Sequence, residues 1–244
     1  MNSTRIVEVT GITGCGKTSL IHNTLKYSDQ NGLKIAVAED IIINKYLFRF
    51  IKSIRTRSLI VDLVVFPYIF KKGIFKQISF YCKNIFKSQD PFFIKLNTFR
   101  NVVKRMGIYY KLKKIRQNVD LDFILLDEGI LHIAHNIFVH EEGKPDIKEL
   151  NKFLDSVPLY DKIVLLNATS SNLISTIKEK KHFRVSFKNR SITNFINNAD
   201  IVFNEIKQND RIKPLLFQIE ISSLDIQNGT DSLITFLKQN NIYA

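Results

Sequence analysis

The chain has 244 residues, 45% of them hydrophobic, and a formal charge of +13. That is enough for one large domain, and no membrane-spanning helix is expected, because no stretch reaches the roughly 18 to 20 uninterrupted apolar residues that cross a bilayer. The opening MNSTRIVEVTGITG has no apolar core with a small-residue cleavage site, and Cys15 and Cys82 make no disulfide framework, so a cytoplasmic location is expected.

In chain order, the apolar run Arg5 to Thr10 predicts a first strand. It leads into Gly11-Ile12-Thr13-Gly14-Cys15-Gly16-Lys17-Thr18, which fits G-x-x-x-x-G-K-[ST] at each fixed position and precedes a helix predicted over Lys17 to Tyr27. With average glycine usage such a match arises by chance about once in a hundred chains of this length. Glycines let several backbone N–H groups point into one concavity, and the helix directs its positive end at the same point. The anion expected there is a nucleoside triphosphate, ATP. Lys17 can reach the β and γ phosphates, and the Thr18 hydroxyl suits Mg²⁺, a hard ion that prefers oxygen. Ser19 completes the candidate nucleotide-binding positions, with its side chain expected in the helix packing.

A second strand is predicted over Lys34 to Ala38, ending in Glu39 and Asp40. The stretch 45–119 that follows carries eighteen Lys or Arg against only Asp62 and Asp90, a balance of +16, which leaves −3 for the rest of the chain. The basicity therefore belongs to one insert, read as a helical cap with a helix over Thr98 to Gln117. Its most apolar part, Ser58 to Phe70, reads as a helix packed in the cap core, with contact to a membrane surface or apolar ligand as the alternative. Arg49, Arg55, Arg57, Arg100 and Arg105 are candidate clamps for an anionic acceptor, and Phe92, Phe93 and Phe99 candidate stacking surfaces. Nucleic acid would satisfy the same field.

Phe123 to Asp127 predicts the third strand, four apolar residues ending in Asp127 and Glu128. An acid at that tip can hold the magnesium water shell, so Thr18, Asp127 and Glu128 are the metal candidates. A helix over Ile130 to Val139, a strand over Lys162 to Asn167 and a helix over Ser171 to Lys180 follow. The basic stretch 178–190 contains Arg184 and Arg190, and a helix over Ser191 to Lys207 leads to a fifth strand, Leu216 to Ile221. A turn at Asn228-Gly229 is expected before a last helix, Asp231 to Gln239. Short apolar strands alternating with helices predict an α/β three-layer fold around a five-stranded parallel sheet. His132 and His135 share a helix face, but their setting does not compel a metal site. The guanine-reading N-K-x-D motif is absent, since the fourth strand continues as Ala168-Thr169-Ser170.

The glycine loop, the acidic tip "AVAED", "FILLDEG" and the basic stretch after the fourth strand resemble the P-loop kinases, which include nucleoside monophosphate, thymidylate and deoxynucleoside kinases. The resemblance implies a P-loop NTPase fold forming a single domain over 1–244, with 45–119 as a substrate-binding cap and 178–190 as a lid-like segment. It implies that Glu39, or Asp40 after it, meets the acceptor as base, and that Lys17, Arg184 and Arg190 neutralise the transferring group. One departure is that the arginine those families place after or near the third-strand acid is missing, since the sequence reads Asp127-Glu128-Gly129. "DEG" followed by "ILHIAHNIF" is similar to thymidylate-kinase-like proteins linked to surface-glycan synthesis, which keeps a sugar acceptor open. The function expected is an Mg-ATP-dependent kinase for a small anionic acceptor, a nucleoside or nucleotide first. The alternatives are a glycan-pathway sugar kinase, a polynucleotide kinase or nucleic-acid-dependent ATPase in which Glu128 activates water, and a non-catalytic nucleotide sensor. A homodimer is left open.

Overall fold

The computed structural model describes residues 4–44, 53–70, 74–179, 185, 189–221 and 226–241. Five strands, β1 (Arg5–Gly11), β2 (Ile35–Val37), β3 (Phe123–Asp127), β4 (Lys162–Ala168) and β5 (Leu216–Ile221), form one sheet in the order β2-β3-β1-β4-β5. Every pairing is parallel. Consecutive residues of β3 and β4 are buried, Phe123 to Leu126 and Ile163 to Leu166, so both faces are covered. This accounts for the unbroken apolar runs in the sequence. Neighbours β1 and β3 have crossovers leading to opposite edges of the sheet, which opens a crevice outside their carboxyl ends. The register sets Val9 beside Asp127 and Gly11 beside Leu166, so the glycine loop and the third-strand acid leave the sheet together.

Helix α1 (Lys17–Ser28) packs with α10 (Ile226–Asn241), while α6 (Ile133–Phe138), α7 (Ile147–Ser156) and α8 (Ser170–Glu179) each pack with α9 (Asn189–Gln208). Between β2 and β3 the described elements are all helical: α2 (Ala38–Asn44), α3 (Ile54–Val65), a 3-10 turn (Phe66–Phe70), α4 (Ile74–Lys87), α5 (Phe92–Ile115) and a second 3-10 turn (Arg116–Asn118). The cap closes tightly where α3 ends. A Cβ at Gly107 of α5 would stand 2.6 Å from the Val65 carbonyl oxygen, a contact only glycine permits.

Four local expectations need correction. The second strand ends at Val37 because Ala38 opens α2, whose first turn holds Glu39 and Asp40, acids that favour a helix amino end. Asn228 and Gly229 lie inside α10 and make no turn; Gly229 is buried beside Leu20, Ile219 and Ile221. The third-strand helix begins at Ile133, since the preceding amides of Leu131 and His132 donate to the Glu8 carboxylate, at 3.1 and 3.0 Å. The segment Ser58 to Phe70 buries Val61 and Val65 but exposes Leu59, Leu63, Phe66 and Phe70, so only one face of it belongs to the cap core.

Candidate active site

Gly11, Gly14 and Gly16 have φ of +147°, +91° and +93°, values that side chains disfavour. At Gly11 a Cβ would meet the Leu166 carbonyl oxygen at 2.5 Å. The loop turns on these residues, with the Cys15 amide donating to the Ile12 carbonyl at 3.2 Å, and ends at Lys17, the first residue of α1. Lys17 is buried, and its ammonium donates to the carbonyls of Gly11 and Ile12, both at 3.1 Å, and pairs with Glu128 Oε1 at 3.2 Å. Burial opposes its charge, but the neighbouring Cys15, Glu128 and Asp127 outweigh that and raise its hold on the proton. Thr13 is half-buried, and Ser19 is exposed rather than packed, since it stands on the outer side of α1 beside the exposed Thr18.

The Thr18 hydroxyl donates to Asp127 Oδ2 at 2.5 Å, which joins the helix start to the tip of β3. Burial pushes the Asp127 carboxyl up, against the lowering effect of that hydrogen bond. A hydroxyl and a carboxylate in contact make an all-oxygen donor set, which fits a hard divalent cation. Glu128 is placed differently. It takes φ +63°, its amide donates to the Val9 carbonyl at 3.0 Å, and both carboxylate oxygens face cations. Oε1 lies 3.2 Å from Lys17 and 3.4 Å from His132, and Oε2 lies 2.7 Å from Arg105. Burial would raise its pKa, but His132, Lys17 and Arg105 hold it well below the usual carboxylate range. Glu128 thus anchors Lys17 and Arg105, whereas the sequence suggested a metal-side role.

Thr18, Asp127 and Glu128 form one wall of a cavity of about 590 Å³ whose other walls include Glu39, Asp40, Lys104, Arg105 and Tyr160. Glu39 Oε1 accepts from the Lys104 ammonium at 2.6 Å, and Asp40 pairs with Arg57. Two buried groups lining the cavity, Arg105 Nη1 and the Tyr160 hydroxyl, have no hydrogen-bond partner among the described residues. Such groups cost free energy unless a ligand meets them. A second cavity, about 610 Å³, lies by the α4–α5 turn and the residues joining α6 to α7, and no glycine-loop residue lines it.

Of the proposed clamps, Arg57 and Arg105 reach this site, whereas Arg100 pairs with Asp62 in the cap. Phe92 and Phe93 are exposed and Phe99 packs against the core, so none of the three lines the cavity. Arg190 is exposed in the first turn of α9 and does not line it either. Arg49 and Arg184 lie outside the described residues, as does the side chain of Arg55. Lys104, Tyr160 and Glu8 were not expected. Arg105 is delivered to Glu128 by α5.

Glu8 is buried in β1 beneath Gly129, where a Cβ would stand 2.7 Å from the Glu8 Cδ. Desolvation by burial lifts its pKa from 4.5 to about 7, despite the amides of Leu131 and His132. The folded chain therefore holds this proton over a window in which the unfolded chain has lost it. Stability contributed by Glu8 is full below pH 4.5 and is lost as pH rises through about 7. The loss is about 3 kcal/mol, from roughly 1.4 kcal/mol per pKa unit. Glu8→Gln, which resembles the neutral form, is expected to flatten this decline. Urea midpoints at about pH 5 and 8 check it; parallel profiles for the two proteins would assign the pH dependence elsewhere.

No family model and no curated protein matches the sequence. Among solved structures, a thymidylate kinase from Candida albicans aligns with 98% of this chain and 92% of its own, at TM-score 0.52 and 14% identity. A deoxyadenosine kinase from M. mycoides aligns with 96% of this chain and 99% of its own, at TM-score 0.49 and 14% identity. At these identities the likeness is one of fold, and the first structure carries it. The five-stranded parallel sheet with its flanking helices is the fold that this chain shares with that thymidylate kinase.

Proposed function

We propose that the chain is an Mg-ATP-dependent kinase that phosphorylates a small acceptor, with nucleotides, whose phosphate supplies an acidic group, and the uncharged nucleosides the first classes to test. One observation carries the reading: the Thr18–Asp127 pair and the Glu39–Lys104 pair line the same cavity, so phosphate-side and acceptor-side groups face each other. The glycine loop and Lys17 hold the triphosphate tail, and Glu39 orients the acceptor hydroxyl and takes its proton. The acceptor oxygen bonds to the γ phosphorus as the bond to the departing ADP breaks. A magnesium ion bound at Thr18 and Asp127 would neutralise charge on the β and γ oxygens. Arg105 and Tyr160, with unused donors, suit the acceptor's acidic group.

A small acceptor is favoured over nucleic acid because cap cations nearest the site are already paired with acids: Arg57 with Asp40, Lys104 with Glu39 and Arg105 with Glu128. A thermal-shift screen of nucleosides, nucleotides and sugar phosphates, with a non-hydrolysable ATP analogue present, tests the class directly. The correct acceptor raises the midpoint by mass action. Stabilisation by sugar phosphates alone would move the assignment to the sugar class, and stabilisation by oligonucleotides alone would overturn the small-acceptor reading. With the acceptor so found, Arg105→Met is expected to raise its KM about 10- to 100-fold, the loss of a charge-assisted hydrogen bond, while ATP affinity changes less than about threefold. Steady-state kinetics in both substrates check this.

A further inference from the structure

We propose that the outer face of the helical cap docks on an anionic lipid surface. Among the described residues ten large apolar side chains are exposed, and nine of them fall between Leu59 and Leu96. Exposed apolar groups gathered in this way mark an interaction surface. In α3 and the turn after it, Leu59, Leu63, Phe66 and Phe70 follow helical spacing along one stripe, opposite the buried Val61 and Val65. Phe66 and Phe70 meet edge to face with ring centroids 5.3 Å apart. The first two turns of α5 expose Phe92, Phe93 and Leu96. One turn further on, Arg100 Nε donates to Asp62 of α3 at 2.7 Å, and Asp62 lies next to Leu63. That contact joins the two helices that carry the stripes. Between them in the chain, α4 exposes Phe75 and Phe86 interleaved with the exposed Lys76 and Lys83.

Charge selects the occupant. Residues 54–96 contain eight Lys or Arg against Asp62 and Asp90; Arg57 and Lys87 pair with Asp40 and Asp146, and the two acids pair with Arg100 and His140. A second copy of the chain would set one strongly cationic cap against another, which repels. Nucleic acid would satisfy the lysines and could stack on the exposed phenylalanines, but it would leave the aliphatic Leu59, Leu63 and Leu96 against water. An anionic lipid interface accepts both sets, apolar side chains at the acyl boundary and lysines among the headgroups. No helix among the described residues is long and apolar enough to cross a membrane, so the contact is with its surface. Leu96 lies eight residues before Lys104 on α5, about 12 Å along the helix, so the docked face adjoins the acceptor cavity. The inference does not depend on the kinase reading, because no residue of the glycine loop takes part.

Flotation of the full chain with vesicles tests it. Binding is expected with phosphatidylcholine vesicles containing phosphatidylglycerol and not with phosphatidylcholine alone, and it should weaken as salt rises from about 0.1 to 0.5 M. The double variant Leu63→Ser/Phe93→Ser alters only exposed side chains, so its circular dichroism and ATP affinity should match wild type while its vesicle-bound fraction falls at least about tenfold. No flotation with either vesicle, or equal flotation of the double variant, overturns the proposal. So does a wild-type dimer that the variant abolishes without any lipid binding, or capture of a single-stranded oligonucleotide in place of vesicles.

Discussion

Lys17→Met is expected to lower ATP affinity about a hundredfold and phosphoryl transfer about a thousandfold or more. The ammonium is buried at the base of the glycine loop, within 3.1 Å of two loop carbonyls and 3.2 Å of Glu128. A charge in so dry a setting interacts strongly with a triphosphate, and more strongly still as negative charge spreads over the transferring group. Methionine fills the stem's volume without the charge, so the loop keeps its packing. Glu128 retains Arg105 at 2.7 Å, which limits the cost to the fold to about 1 to 3 kcal/mol. Calorimetric titration with Mg-ATP, together with ADP formation in the presence of the acceptor, measures both effects. Turnover within about tenfold of wild type, in a variant that remains folded, would remove the phosphate assignment and the kinase reading with it.

The parts of this site that the sequence announced are local ones. The glycine loop occupies consecutive positions, and Phe123 to Asp127 is a strand at its expected limits, because a doubly covered strand writes its burial into every residue. The capped helix Ile147–Ser156 was also legible, though unexpected here. Asp146 accepts from the Glu149 amide at 3.2 Å, a D-x-x-E signature followed by Leu150, Phe153 and Leu154 on one face. What could not be read is pairing at long sequence separation. Lys104 reaches Glu39 across 65 residues and Arg105 reaches Glu128 across 23, and nothing in one chain's composition ties those positions together. Glu8 was hidden for a related reason. Inside "RIVEVTG" a single acid looks like a solvent-facing residue of an edge strand, yet β1 lies at the centre of the sheet, and the carboxylate earns its place by receiving the amides ahead of α6. The aromatics of the cap misled in the opposite direction: Phe92 and Phe93 suggested a stacking site, but helix phase turns them outward.

Long-range pairing also decides how the acceptor-side acid can be tested. Glu39 and Asp40 are neighbours in the first turn of α2, but their partners differ, Lys104 for Glu39 and Arg57 for Asp40. Lys104 is itself largely buried, with 17% of its side chain exposed, so it holds Glu39 in one orientation against the cavity. Arg57 is more exposed, at 37%, and fixes Asp40 less tightly. Glu39→Gln is therefore expected to lower kcat about 10²- to 10⁴-fold, the range for loss of a general base, with ATP affinity within about twofold of wild type. Asp40→Asn should lower it less than about tenfold. Glutamine keeps the side chain's shape but cannot take the acceptor's proton, so the split between kcat and binding separates chemistry from scaffolding. Single-turnover transfer to the identified acceptor, with unfolding midpoints recorded for both variants, makes the comparison. A deeper loss in Asp40→Asn would reassign the base to Asp40. Full activity in both would place proton transfer outside α2 and leave Glu39 as the counter-ion of Lys104.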